Sequence, residues 1–275
     1  MRYTPHQSAS PTASPQGEAI LRLFFLDFIK ISLHIFNNAL ISLTRDIMQL
    51  IIWLWEVIIM MTETSKKGRI TYQKLFWLFM AGSLLGVVLE GFWCLIGYGK
   101  WETHVVSMWG PFCIIYGFGA AGFYIGAVLM EKKSVFLRFL VFALIGSGVE
   151  YICGWILEHG LNMEAWNYRA QFLNINGYIS LKMTIIWGAI GTLFGMSVPK
   201  LDVFFEKMQG KAWNIACGVL SVFMAVNLMF TAVCIVRWSQ RHQGIAASGK
   251  IIEHIDERYN DEMMAKRFCE WKFLK

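Results

Sequence analysis

From residue 75 to residue 236 the chain alternates long apolar runs with shorter polar connections. Five runs, 75–97, 109–130, 135–157, 181–198 and 213–236, approach or exceed the roughly 20 residues that a helix needs to cross a bilayer. Lipid offers no hydrogen-bond partner to an open backbone, so runs of this kind are helices. The pattern therefore predicts an all-α polytopic membrane protein with about five transmembrane helices. Two positions break it: Glu90 lies inside the first run and Glu150 inside the third. An ionisable side chain at membrane depth is costly, so each marks a functional site by default.

The two glutamates sit in matching surroundings. Leu84-Leu85-Gly86-Val87-Val88-Leu89-Glu90 aligns with Leu144-Ile145-Gly146-Ser147-Gly148-Val149-Glu150. Trp101-Glu102 and Ile114-Ile115-Tyr116-Gly117 then follow the first, as Trp166-Asn167 and Ile185-Ile186-Trp187-Gly188 follow the second. The order of these matches predicts a duplicated helix pair over residues 72–199. Each unit crosses twice, so both units start on one side, which makes the repeat parallel about an axis along the membrane normal. Both carboxylates then lie roughly 22 Å along their helices at ~1.5 Å per residue, facing one another across that axis. Such a pair would share a proton or a bridging cation; the plainer reading has each acid hydrogen-bonded within the bundle.

Composition narrows the class. Hydrophobic residues make up 56% of the 275 and charged ones only 16%, too apolar for an ordinary soluble domain. The net charge of +6 is what a membrane protein gains from loops kept on the cytoplasmic side, and no nucleic-acid role is expected. Lys66, Lys67, Arg69 and Lys74 before the first span, Lys132, Lys133 and Arg138 in the second connection, and Lys200, Lys207 and Lys211 in the fourth place those segments in the cytoplasm. That count puts the tail after Arg237 outside, against the tail's own basic residues. The six cysteines show no metal-ligand spacing and read as small apolar residues, and no metal is expected.

Polar residues outside the runs cluster in the long connection 158–182. It holds Trp166-Asn167-Tyr168-Arg169 and Asn174-Ile175-Asn176-Gly177, with Lys182 opening the fourth span. Arg169, Asn174, Asn176 and Lys182 are the expected outer entrance, Lys182 roughly two turns from the level of the glutamates. Gly82 and Gly86, Gly122 and Gly126, and Gly188 and Thr192 have the spacing that lets helices approach closely. Gly110-Pro111 is expected to open the second span, proline suiting a first turn whose N–H groups are unpaired, with a weaker expectation of an anion there. Residues 213–237 form the fifth span. In the tail, 238–275, apolar residues at helical spacing predict one amphipathic helix over 250–273, lying on the bilayer with Phe268 and Trp271 as anchors.

The first 60 residues form a poorly defined extension. Residues 1–17 are rich in Ser, Pro and Gln, and 46–60 are apolar but short, suiting an interfacial helix. A sharper expectation is an upstream mis-start: Trp53–Met61 contains Trp-Glu-Val-Ile, which one codon choice writes as a ribosome-binding sequence just before Met60 and Met61.

Several of these motifs together resemble one family. They are Gly110-Pro111-Phe112-Cys113-Ile114-Ile115-Tyr116-Gly117-Phe118-Gly119, the Leu-x-Gly-x-x-x-Glu of the first span, Glu150-Tyr151 followed by Gly154-Trp155, Trp166-Asn167-Tyr168, and Asn174-Ile175-Asn176-Gly177 leading to Leu181-Lys182. The chain is similar over about 72–199 to the bacterial ABC-transporter permeases called type IV, or CmpB-like. Ile114 stands where a proline commonly follows the cysteine, and His104-Val105-Val106 where an Asn-Arg-Gly run is common. The resemblance implies a multi-pass permease of the bacterial cytoplasmic membrane, in a homo-oligomer or with an ATP-binding subunit. No phosphate-binding Gly-x-x-x-x-Gly-Lys-Ser/Thr loop occurs in the sequence, so ATP is expected only through a separate subunit and no cofactor in this chain. The competing classes are a proton- or cation-coupled carrier and a membrane-embedded acid/base enzyme, both centred on Glu90 and Glu150.

Overall fold

The computed structural model describes residues 69–274 apart from Thr103. The expectations for residues 1–60 lie outside the described residues. Among the described residues, helices account for nearly all regular structure: α1 (Tyr72–Tyr98), α2 (Ile114–Leu129), α3 (Val135–Leu161), α4 (Leu181–Lys207), α5 (Lys211–His242), α6 (Lys250–Arg258) and α7 (Asp261–Arg267). Two short strands, β1 (Met163–Glu164) and β2 (Lys272–Phe273), pair antiparallel, Met163 opposite Phe273. Four helices, α1, α3, α4 and α5, are long and apolar enough to cross a membrane, and α2 is a shorter apolar helix. Large apolar side chains such as Leu144, Leu193 and Val222 remain two-thirds or more exposed, the surface a bilayer covers. This is an all-α polytopic membrane protein.

Side-chain caps start three of the four long helices. Thr71, Ser134 and Ser180 accept from the backbone N–H groups of Lys74, Leu137 and Met183. α2 differs from expectation. Gly110 adopts φ +77, and Cys113 precedes the first helical residue without a side-chain cap. Gly110-Pro111 is thus a turn before the helix rather than its first turn, and the carbonyl of Gly110 accepts from Ser107 and from Arg267. α4 runs through Pro199 to Lys207, beyond the expected end at 198. Its last turns are fixed by Asp202, which accepts from Arg69 (2.6 Å), Lys74 (2.8 Å) and the hydroxyl of Tyr124 (2.5 Å), while Arg69 also reaches Glu131. These groups tie α1, α2 and α4 together at one end of the bundle.

The helices pack as two antiparallel pairs. In α1–α2, a Cβ on Gly82 would meet Ala120, and one on Gly86 would meet the ring of Tyr116 at 2.6 Å. In α3–α4 the corresponding contacts are Phe142 against Gly191 and Gly146 against Trp187 at 2.5 Å. The bulk is exchanged at the first contact and the aromatic-over-glycine contact is kept at the second. Between the pairs, Phe123, Tyr124, Phe142 and Trp187 make the core, Phe123 and Phe142 meeting edge-on at 5.6 Å.

The opposite end is closed by loops and by the tail. Asn227 of α5 is fully buried; its side chain accepts from the N–H of Trp109 and donates to that residue's carbonyl, while Thr231 accepts from the N–H of Met108. Backbone at this depth needs partners inside the protein. The tail is two short helices and a strand, not one helix over 250–273, and it packs on this end. Phe268 is 2% exposed beneath Trp238 and so does not anchor in lipid. Three of the basic tail residues that conflicted with the loop count are engaged internally: Arg237 and Arg241 pair with Asp256 at 2.6 Å, Arg241 also with Asp261, and Arg267 donates to the carbonyls of Ser107 and Gly110.

Two outcomes follow. Gly146→Ala should lower stability in detergent by about 1–3 kcal/mol through overpacking against Trp187, whereas Gly148→Ala, which meets no atom within 4 Å, should change it little; thermal unfolding of both variants checks the difference. Burial opposes ionisation of Asp256, but its hydrogen bonds from Arg237 and Arg241 outweigh that and hold its carboxyl below the usual value. Its stabilisation is therefore present above pH ~4 and lost as pH falls through the lowered value. Acidification should release the tail, read as protease cleavage after α5 while the bundle stays intact, and Asp256→Asn should release it already at neutral pH.

Candidate functional site

Both intramembrane glutamates are held by aromatic donors. Glu150 is 5% exposed; its Oε1 accepts from the Tyr168 hydroxyl and its Oε2 from Trp187 Nε1, each at 2.8 Å. Glu90 accepts from the Tyr116 hydroxyl at 2.6 Å on Oε1, and its Oε2 lies 3.2 Å from His104 Nδ1. Tyr116 and Trp187 occupy matching positions of the two helix pairs, and each serves the carboxylate of its own pair. Their rings touch edge-on at 5.8 Å. The two carboxylates are thus linked through a pair of touching aromatic donors.

Local sequence explains how the aromatics reach. Gly86 and Gly146, one turn before each glutamate, leave the backbone bare where Tyr116 and Trp187 lie. Tyr168 is delivered by the long connection. Its N–H donates to the carbonyl of Gly177, Asn167 accepts from the N–H of Arg169, and Asn174 donates to the carbonyls of Arg169 and Gln171 while accepting from the N–H of Gly177. Asparagine turns of this kind replace helix or sheet partners in a compact loop. Gly177 takes φ +78 and packs under Arg169. Burial, with Glu150 adding to it, pushes the Tyr168 phenol well above its ordinary value and keeps it a neutral donor.

At the tail-bearing end His104 joins Glu90 to the tail. Its Nε2 is 2.5 Å from Glu270 and 3.3 Å from the Cys94 sulfur. Burial works against the imidazolium, but hydrogen bonds to Glu270 and Glu90 outweigh it, and the ring's pKa is pushed up to about 9. A charged His104 between two carboxylates thus links an intramembrane acid to a residue 180 positions further along the chain.

A family model described as "Putative ABC-transporter type IV" matches residues 77–232, more than half of the chain. The chain belongs to this family. The match runs from α1 into α5 and so contains both carboxylates, all three aromatic donors and His104; Glu270 lies beyond it. No curated protein and no solved structure matches the chain.

In this type IV chain the remaining expected site residues divide clearly. Lys182 is exposed, its ammonium 5.9 Å above Trp93, and makes no contact with either glutamate. Arg169 pairs with Glu158 at 3.2 Å, and Asn176, at φ +55, donates to the Tyr151 hydroxyl. These residues, with Asn174, build the loop that carries Tyr168. Trp166 donates to the carbonyl of Tyr178, whose ring packs on Gly154, and Trp155 stacks on His159. Gly117 is pressed against Ser83 and Phe79, Cys113 and Gly119 are buried, a Cβ on Gly119 would meet no atom within 4 Å, and Pro111 is exposed. His104 and Glu270 were not among the expected site residues. The departure at His104-Val105-Val106 was the available signal for the first; nothing local marks the second.

Trp187→Phe leaves the buried Glu150 with one donor and should cost about 1–3 kcal/mol, the range for a buried polar group that loses a partner. In a Glu150→Gln background the same change should cost much less, which a double-mutant cycle of unfolding in detergent measures.

Proposed function

We propose that this chain is the membrane-embedded permease component of an ABC-type transport system in the bacterial cytoplasmic membrane, and that Glu90 and Glu150 form its polar intramembrane site. The observation that carries the reading is the paired arrangement: a carboxylate in each helix pair, each with an aromatic donor from its own partner helix, and the two donors in contact. A group that only stabilised one helix contact would not need a counterpart at the matching depth of a second pair. The equivalent glycine–aromatic contacts favour duplication of one ancestral hairpin, giving two parallel units around a central polar site.

In this reading the lysine-rich end, with Asp202 binding Arg69, Lys74 and Tyr124, faces the cytoplasm, and the segments 131–138 and 200–211 offer the surface for an ATP-binding subunit. The end bearing the tail faces outward. Nucleotide chemistry belongs to that separate subunit, since the chain carries no phosphate loop. The site itself provides paired acceptors in a low-dielectric centre, suited to a cationic or hydrogen-bond-donating solute.

Purification of the tagged chain from native membranes in mild detergent, followed by mass spectrometry, tests the reading. A stoichiometric ATP-binding subunit is the expected result. Reproducible recovery of the chain without one overturns the ABC assignment in favour of a cation-coupled carrier.

A further inference from the structure

Four donor side chains meet at the outer end of α1. The ligand atoms of Cys94, Glu102 and His104 all lie within 4.8 Å of one another. Glu270, brought in by the tail, places Oε1 2.5 Å from His104 Nε2, and the Cys94 sulfur is 3.3 Å from that same nitrogen. We propose that Cys94, Glu102, His104 and Glu270 bind a zinc-class divalent metal ion.

The donor set selects the ion. Sulfur, imidazole nitrogen and carboxylate oxygen together suit zinc or cobalt(II), whereas magnesium and calcium prefer oxygen alone. In a tetrahedral site with ligands about 2.0–2.3 Å from the metal, donor atoms lie roughly 3.3–3.8 Å apart. Entry of an ion would part His104 Nε2 and Glu270 Oε1 from their 2.5 Å contact to that spacing and draw Cys94 and Glu102 inward. Cys94 is 1% exposed and Glu102 is exposed, so the site has a buried wall and an open approach.

The surroundings are those that orient a metal-bound histidine. Nδ1 of His104 faces Glu90 at 3.2 Å, and Glu90 is itself held by Tyr116. A carboxylate on one ring nitrogen fixes the ring and directs the other nitrogen toward the metal. Binding displaces two protons to solvent, one from the Cys94 thiol and one from Nε2, where a proton otherwise bridges His104 and Glu270. The spacing Cys94, Glu102, His104 matches no familiar zinc pattern in sequence, and the fourth ligand comes from the tail, which is why the linear motifs are silent. The site joins α1, the first outer connection and the tail, and its occupancy needs neither an ATP-binding subunit nor a transported solute.

Cobalt(II) titration of the full-length chain in detergent, after chelator treatment, tests this. The expected result is one equivalent bound, with the strong visible absorption of four-coordinate cobalt and a near-ultraviolet thiolate-to-cobalt band, both removed by zinc. Cys94→Ser should abolish the thiolate band, and Cys269→Ser and Cys153→Ser should leave it. Glu270→Gln should weaken binding, and Glu90→Gln should weaken it about 10–100-fold as an outer partner. Elution of each variant as a single monodisperse species confirms folding. Absence of the thiolate band in the native chain, its survival in Cys94→Ser, or undiminished affinity in both Glu270→Gln and His104→Ala would overturn the proposal.

Discussion

A carboxylate buried in an apolar bundle must take its hydrogen bonds from the bundle, because lipid supplies none and an unpaired ion there costs several kcal/mol. Much of this molecule follows from meeting that demand twice. Tyr116 and Trp187 can donate to Glu90 and Glu150 only if they lie flat against the neighbouring helix. Glycines at 86 and 146 make the room. A second donor for Glu150 has to come from outside the bundle, and the long connection folds on its own asparagine turns to place Tyr168 there. For Glu90 the equivalent direction is filled by His104, and through it by Glu270. The loops at the tail-bearing end and the tail itself are thus part of what holds the two carboxylates.

The two ends of the bundle are built from different interactions. At the lysine-rich end, Asp202 gathers a guanidinium from the turn before α1, an ammonium from α1 and a phenol from α2. At the opposite end, side chains of α5 satisfy loop backbone and arginines bind the tail. Cations enriched at both ends defeat a simple charge count of orientation. Arg237, Arg241 and Arg267 have local carboxylates and carbonyls to serve, so they carry no information about the side of the membrane.

The apolar runs made the spans legible, since length and composition alone decide whether a helix can cross. Their ends were less so. Gly110-Pro111 reads as a helix start, but the positive φ of Gly110 turns the chain before α2 begins, and Asp202 sustains α4 past Pro199, where local rules predict a stop. The tail has the periodicity of one helix, yet the docking of Phe268 under Trp238 and the pairing of β2 with β1 divide it. In the candidate site, Glu90 and Glu150 stood out because charge is conspicuous in an apolar run. Tyr168 was visible as part of a motif without its role. His104 was marked only by the departure of its segment from the family pattern, and Glu270 by nothing local, because their pairing joins segments far apart in the chain.

The central claim is that the aromatic-held carboxylates are the working centre of a membrane transport component, rather than structural polar groups. Its most direct test is steady-state ATP hydrolysis by the complex purified from native membranes, with Glu150→Gln compared against the unaltered chain at equal subunit stoichiometry. The account predicts that the variant assembles with its ATP-binding subunit but loses turnover by about tenfold or more, equivalent to at least ~1.4 kcal/mol in the rate-limiting step. Full turnover in a correctly assembled Glu150→Gln complex would contradict it.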